Sequence, residues 1–194
     1  MSGDEAMKAN AAGVKLTYDD FLLFPDDGQR HELIDGEHYV TPSPNLTHQR
    51  LLGNFYWLLR GYLESNQAGE IFMAPLDVVF SHFDVVEPDL LYVSRERGRT
   101  ILTEKHVRGT PELVIEIGSP STRRRDETIK RRLYERFGVD EYWLVDPDQE
   151  AVRVLRRRGD RFGRIRELTR EAGDVLTSPL FPGLELRLAD VFRS

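Results

Sequence analysis

Glu112-Leu113-Val114-Ile115-Glu116-Ile117-Gly118-Ser119-Pro120-Ser121-Thr122 is the stretch from which the fold is read. Its first half is apolar at alternating positions on both faces except at Glu116, and a strand apolar on both faces belongs in the middle of a sheet. Ser119-Pro120-Ser121-Thr122 then supplies cap-forming hydroxyls and a proline suited to a first helical turn. A helix is therefore expected over residues 122–137, with Gly138 stopping it. Beyond it, Tyr142-Trp143-Leu144-Val145 reads as a second buried strand with Asp146-Pro147 as its exit.

Outward from this block, Leu51, Leu52, Phe55, Leu58, Leu59, Tyr62 and Leu63 recur at three- and four-residue intervals. That spacing predicts a helix over residues 45–66 burying one stripe. Strand-like runs follow at residues 70–73, 76–80 and 85–93, then a loop around Gly98 and Lys105. Upstream, Asp35-Gly36 sits between two short β-like runs as a hairpin turn, and Thr17-Tyr18-Asp19-Asp20-Phe21 starts a short capped helix. Downstream, residues 152–155 and 164–168 read as an outer hairpin. The order predicts an α/β (α+β) fold, a mixed sheet flanked by helices, in one domain over residues 16–194 after a flexible tail at residues 1–15.

The chain of 194 residues, 40% hydrophobic, is long enough to bury a core without covalent staples. It has no cysteine, which removes disulfides and thiolate metal sites; a bound metal must be held by oxygen or imidazole, as magnesium-like ions are. No signal peptide and no apolar run near the ~20 residues of a membrane span is present, which predicts a cytoplasmic protein without membrane contact. The net charge of -6 argues against a protein that merely coats nucleic acid. Arginines nevertheless concentrate in residues 123–136 and 153–170, either as a local positive face or as solvated surface.

Glu116 lies among residues that belong in the core, and an unpaired buried carboxylate costs several kcal/mol, so a divalent cation or a cationic side chain must compensate it. Asp89 repeats the anomaly before Leu90-Leu91-Tyr92-Val93. Two acids on adjacent strands can share one hard cation whose other positions are filled by water and phosphate. On the helix of residues 122–137, Asp126, Lys130, Leu133, Tyr134 and Phe137 share one face, which brings Lys130 to the core side. Arg124, Arg125, Arg131 and Arg132 are expected to point elsewhere. An Asp126 to Lys130 helix pair is the plainer alternative for Lys130. Phe55, Trp57, Phe137, Tyr142 and Trp143 read as core, and the five histidines are scattered without metal-ligand spacing.

Glu-Leu-Ile-Asp-Gly-Glu (residues 32–37), Val-Glu-Pro-Asp-Leu (86–90), Pro-Glu-Leu-Val-Ile-Glu-Ile-Gly-Ser-Pro-Ser-Thr (111–122) and Val-Asp-Glu-Tyr-Trp-Leu-Val-Asp-Pro (139–147) resemble the bacterial Uma-type restriction endonucleases of the PD-(D/E)XK nuclease superfamily. The resemblance covers residues 17–190. It implies a restriction-endonuclease-like fold and Mg²⁺- or Mn²⁺-dependent hydrolysis of nucleic acid, DNA above all, by a homodimer. Asp89 and Glu116 would bind the metal. Gly118 stands where the superfamily pattern has lysine, and Lys130 is its replacement, orienting or deprotonating the attacking water or neutralising the pentacovalent state. Glu32, Asp77 and His48 fall where the family carries additional polar site residues. The alternatives are a catalytically inactive nuclease-fold module that binds nucleic acid or a protein partner, and a carboxylate-pair glycosidase. A serine hydrolase is disfavoured because Ser119 and Ser121 read as caps and lack a glycine-flanked elbow.

Overall fold

The computed structural model describes residues 14–119 and 122–193. The expected N-terminal tail, up to residue 13, and the capping assigned to Pro120 and Ser121 lie outside the described residues. In chain order the elements are α1 (Tyr18–Phe21), β1 (Arg30–Ile34), β2 (Glu37–Thr41), α2 (Leu46–Asn66), β3 (Gly69–Met73), β4 (Val78–Ser81), β5 (Asp84–Val86), β6 (Leu90–Ser94), α3 (Arg95–Ile101), β7 (Val107–Arg108) and β8 (Leu113–Ile117). They continue with α4 (Arg123–Arg125), a π-helical turn (Asp126–Lys130), α5 (Arg131–Phe137), β9 (Glu141–Asp146), β10 (Ala151–Arg158), β11 (Arg161–Phe162), β12 (Arg166–Thr169), β13 (Val175–Leu176), β14 (Leu186–Arg187) and α6 (Leu188–Val191).

All five residues of β8 are buried, and the strand is central: it pairs antiparallel with β6 on one side and parallel with β9 on the other. The large mixed sheet runs β11-β10-β9-β8-β6-β3, with β12 also on β10. A smaller sheet, β2-β1-β5-β4-β7, carries the hairpin expected at Asp35-Gly36. Both turn residues have positive φ, as a two-residue hairpin loop requires.

Alternation along β8 sorts its side chains between two cores. Leu113, Ile115 and Ile117 join Leu51, Phe55, Leu59 and Leu63 of α2, along with Trp143 and Val145. Val114 joins Leu133 and Tyr134 of α5 and, from the small sheet, Ile34, Val78 and Val86. Glu116 shares the parity of Val114, so it faces the helix made of α4, the π turn and α5. The β13-β14 hairpin and α6, on which the sequence reading was silent, close the α2 side with Leu176, Leu186, Leu188 and Val191.

Several expectations are corrected. The run at residues 85–93 is not one strand: β5 and β6 belong to different sheets, separated at Glu87-Pro88-Asp89, where proline has no N–H for a ladder. The segment read as a loop around Gly98 holds α3, whose N-cap Ser94 accepts from Arg97 N. The helix of residues 122–137 is interrupted by the π turn. Trp57 is 70% exposed rather than core; it sits two positions from both Phe55 and Leu59, which are buried, and a two-residue step rotates about 200° around a helix. Among the described residues, no helix is long and apolar enough to cross a membrane.

Candidate active site

Asp89 ends the linker into β6 and is 3% exposed. Its Oδ2 accepts from Ile117 N at 2.8 Å, tying β6 to the end of β8 where the regular ladder has stopped. The same oxygen lies 3.0 Å from Nε2 of His48, and Oδ1 accepts from an Arg30 Nη at 2.8 Å. A carboxylate only accepts, so His48 donates from Nε2; its Nδ1 is buried without a partner among the described residues. Burial pushes the Asp89 carboxyl up, but the His48 hydrogen bond and the His48 and Arg30 charges outweigh it and hold the group at about 2. His48 is placed there because Asn45 caps α2 through His48 N, fixing the first turn beside Asp89.

Across the cavity, Glu116 Oε1 accepts from Lys130 Nζ at 2.9 Å and from the Tyr134 hydroxyl at 2.6 Å. Lys130 Nζ also lies 2.7 Å from Glu32 Oε1. Glu32, Glu116 and Lys130 are all buried. Burial, with the charges of Asp89, Asp126 and Glu32, pushes Glu116 up to about 8 against the pull of Lys130. For Lys130, burial acts downward, but Glu116, Glu32 and Asp126 together raise it above the ordinary lysine value. Lys130 is thereby held as an ammonium.

The π turn carries both Asp126 and Lys130 into this site. A π turn is a locally widened helix and recurs at functional positions. Asp126 Oδ1 is buried without a partner among the described residues, and burial raises the Asp126 pKa. Tyr142 donates from its hydroxyl to the Asp126 carbonyl. Ser119 and Thr122 hold the chain entering the helix by exchanging hydrogen bonds, Ser119 N to Thr122 Oγ1 and Thr122 N to Ser119 Oγ. The plainer alternative for Lys130 is not what forms: its ion pairs run to Glu32 and Glu116, not to Asp126.

These groups line a cavity of ≈ 290 Å³ that includes Arg30, His48, Asp89, Glu116, Asp126 and Lys130. Glu32 sits behind Lys130, accepting from Glu87 N as well. Asp77 is not brought in: it lies half-buried before β4, where its charge helps burial push Glu87 up to about 7. Arg125 corrects another expectation, since it turns inward, donating to Thr41 Oγ1 at 2.6 Å and reaching 3.5 Å from Glu32 Oε2. Buried carboxylate beyond what Lys130 neutralises draws it in. Arg30 carried no signal in the sequence, and Tyr134 was legible only as a core residue. Of the five histidines, His31 and His38 meet across the β1-β2 hairpin, His31 Nδ1 lying 2.9 Å from His38 Nε2.

The donor chemistry fits a hard divalent cation. Four buried acidic side chains, Glu32, Asp89, Glu116 and Asp126, gather around the cavity, where burial and their mutual repulsion push Glu116 and Asp126 up, and Asp126 Oδ1 has no partner among the described residues. Among the described residues no three acidic or imidazole groups converge on one metal position. Two protein carboxylates with open positions for water and phosphate is how Mg²⁺ is ordinarily bound.

The family described as "Uma2: Putative restriction endonuclease" matches residues 18–189 of this chain. Among solved structures, the chain is similar to a crystal structure of "a putative nuclease belonging to DUF820" from Anabaena variabilis. The TM-score is 0.77 at 21% sequence identity, over 91% of this chain and 97% of that one, a likeness of fold. No curated protein matches.

Proposed function

The chain belongs to the Uma2 family, and from that premise we propose that it is a divalent-metal-dependent nuclease hydrolysing phosphodiester bonds of DNA at the cavity around Glu116. One observation carries this reading. Adjacent strands present Asp89 and Glu116 to the same cavity, and an ammonium group stands 2.9 Å from Glu116. Asp89 and Glu116 would hold a Mg²⁺ or Mn²⁺ ion, which supplies Lewis-acid activation of water and stabilisation of the leaving oxygen.

The chain's own residues set up the rest. Ile117 N–H, His48 and Arg30 orient the Asp89 carboxylate and keep it ionised. Lys130, kept protonated by its two carboxylates, serves as a hydrogen-bond donor and positive charge toward the phosphoryl group rather than as a base. This selects one of the roles expected of it. Arg125 joins the cavity to a neighbouring groove of ≈ 670 Å³ bordered by Tyr39, Arg124 and Arg132, a path suited to the flanking phosphates. Arginine and phosphate favour this reading over a sugar hydrolase.

The test is cleavage of plasmid and single-stranded DNA by the purified protein with Mg²⁺ or Mn²⁺, beside Glu116→Ala, Lys130→Ala and an EDTA control. Metal-dependent cutting lost in both variants is expected. Cutting lost only in Glu116→Ala removes Lys130 from the machinery. Absence of cutting on every substrate, with no metal binding by calorimetry, would mean an inactive nuclease-fold module that binds nucleic acid or a protein partner.

A further inference from the structure

Helix α2 buries Leu51, Leu52, Phe55, Leu59 and Leu63 and turns its opposite face to solvent. On that outer face Trp57 is 70% exposed. Gly53 and Gly61 stand one helical turn before and after it, and Arg50 and Glu64 two turns before and after, all exposed. The stripe is symmetric in position about Trp57 and opposite in charge at its two ends.

The isolated chain accounts for none of this. An indole is among the largest apolar surfaces a side chain can present to water. Glycine inside a helix costs stability relative to alanine, yet a Cβ at Gly53 or Gly61 would meet nothing within 4 Å, so the chain's own packing does not call for either. Arg50 makes no ion pair among the described residues, and Glu64 pairs only with Arg60 of its own exposed helix surface.

We propose that this face docks against the same face of a second copy of the chain, the two α2 helices lying antiparallel about a twofold axis at Trp57. In that arrangement Arg50 faces Glu64 of the partner subunit, and Gly53 faces Gly61 of the partner subunit. Helical side chains lean toward their own N-terminus, so each indole lies over Gly61 of the partner subunit, where no side chain obstructs it. A parallel arrangement would set arginine on arginine and glutamate on glutamate. The charge pattern therefore selects the antiparallel pair and a copy of the same face, and such an isologous contact closes at two subunits. One helix pair buries less than the about 800 Å² per partner of a standard interface, so the dimer forms reversibly with concentration. The inference stands apart from the nuclease reading, since it uses no residue of the cavity.

Sedimentation of the full chain across a dilution series tests it, with circular dichroism confirming that each variant is folded. The 22.5 kDa chain is expected to approach twice its mass at high concentration. Trp57→Ala and Gly61→Leu are expected to remain monomeric. Arg50→Glu and Glu64→Arg should each weaken association by about tenfold, and the double exchange should restore it, because the pair is re-formed with reversed polarity. A wild-type chain that stays monomeric throughout would overturn the proposal. So would a dimer indifferent to Trp57→Ala, or charge reversals that the double exchange does not rescue.

Discussion

Lys130 Nζ donates to Glu116 Oε1 across 2.9 Å, joining a helix to the central strand beneath it. The same ammonium lies 2.7 Å from Glu32 on β1 of the smaller sheet. One buried cation thus ties together both sheets and the helix between them, and it contacts two acidic side chains held away from water.

Replacing Lys130 with methionine keeps the volume and removes the charge. Breaking a buried ion pair from one side costs about 3–5 kcal/mol, so Lys130→Met should lose stability of that order in urea denaturation at neutral pH. Cleavage should be absent even where the variant is fully folded.

Glu116 gives the site a pH dependence of defined sign. Its pKa in the folded chain, about 8, lies above the ordinary 4.5, so the folded state holds a proton that the unfolded state releases. Its contribution to stability is present below 4.5 and is lost as pH rises through about 8. A divalent cation competes with that proton. Mg²⁺ affinity measured by calorimetry should strengthen by about tenfold per pH unit below the Glu116 pKa and level off above it. Near neutrality, binding should release close to one proton.

Asp89 behaves in the opposite sense. Held at about 2 against an ordinary 3.8, it contributes stability above 3.8 that is lost as pH falls through about 2. The contribution is on the order of 2 kcal/mol. Asp89→Asn should lower the melting temperature at neutral pH and flatten its fall between pH 4 and 2 relative to the wild-type chain. A fall of unchanged steepness would assign the acid sensitivity to other carboxylates.

Tyr134→Phe deletes a single oxygen, the donor 2.6 Å from Glu116. A hydrogen bond to the charged form favours that form, so its loss should move the midpoint of the pH–rate profile upward. The fold should lose about 1–2 kcal/mol. A purely structural role for the hydroxyl would lower stability and leave the midpoint in place.

Much of this architecture was legible from local pattern. The doubly apolar run around Glu116 predicted a central strand, and the stripe from Leu51 to Leu63 predicted α2. The two acids out of keeping with their strands, Asp89 and Glu116, were found by the cost of burying charge, and helical spacing brought Lys130 to the same side. Less accessible were features that depend on what lies across space. The split at Pro88 follows from two sheets claiming the two halves of one run, and the inward turn of Arg125 follows from Glu32 lying beneath it. Asp77 was expected near the site but stands beside Glu87, and Trp57, read as core from its apolar neighbours, lies on the outer face of its helix.

The sequence by itself determined which segments alternate, which wind, and which charged residues would be forced out of water, because periodicity and desolvation are properties of a residue and its near neighbours in the chain. Only the tertiary structure decided which charges meet. Arg30 and His48 reach Asp89 from positions 59 and 41 residues away, and the π turn sets Asp126 and Lys130 over β8. The energy of a buried ion pair depends on the separation and solvent exposure of its partners, and neither quantity exists until the sheets and helices have packed.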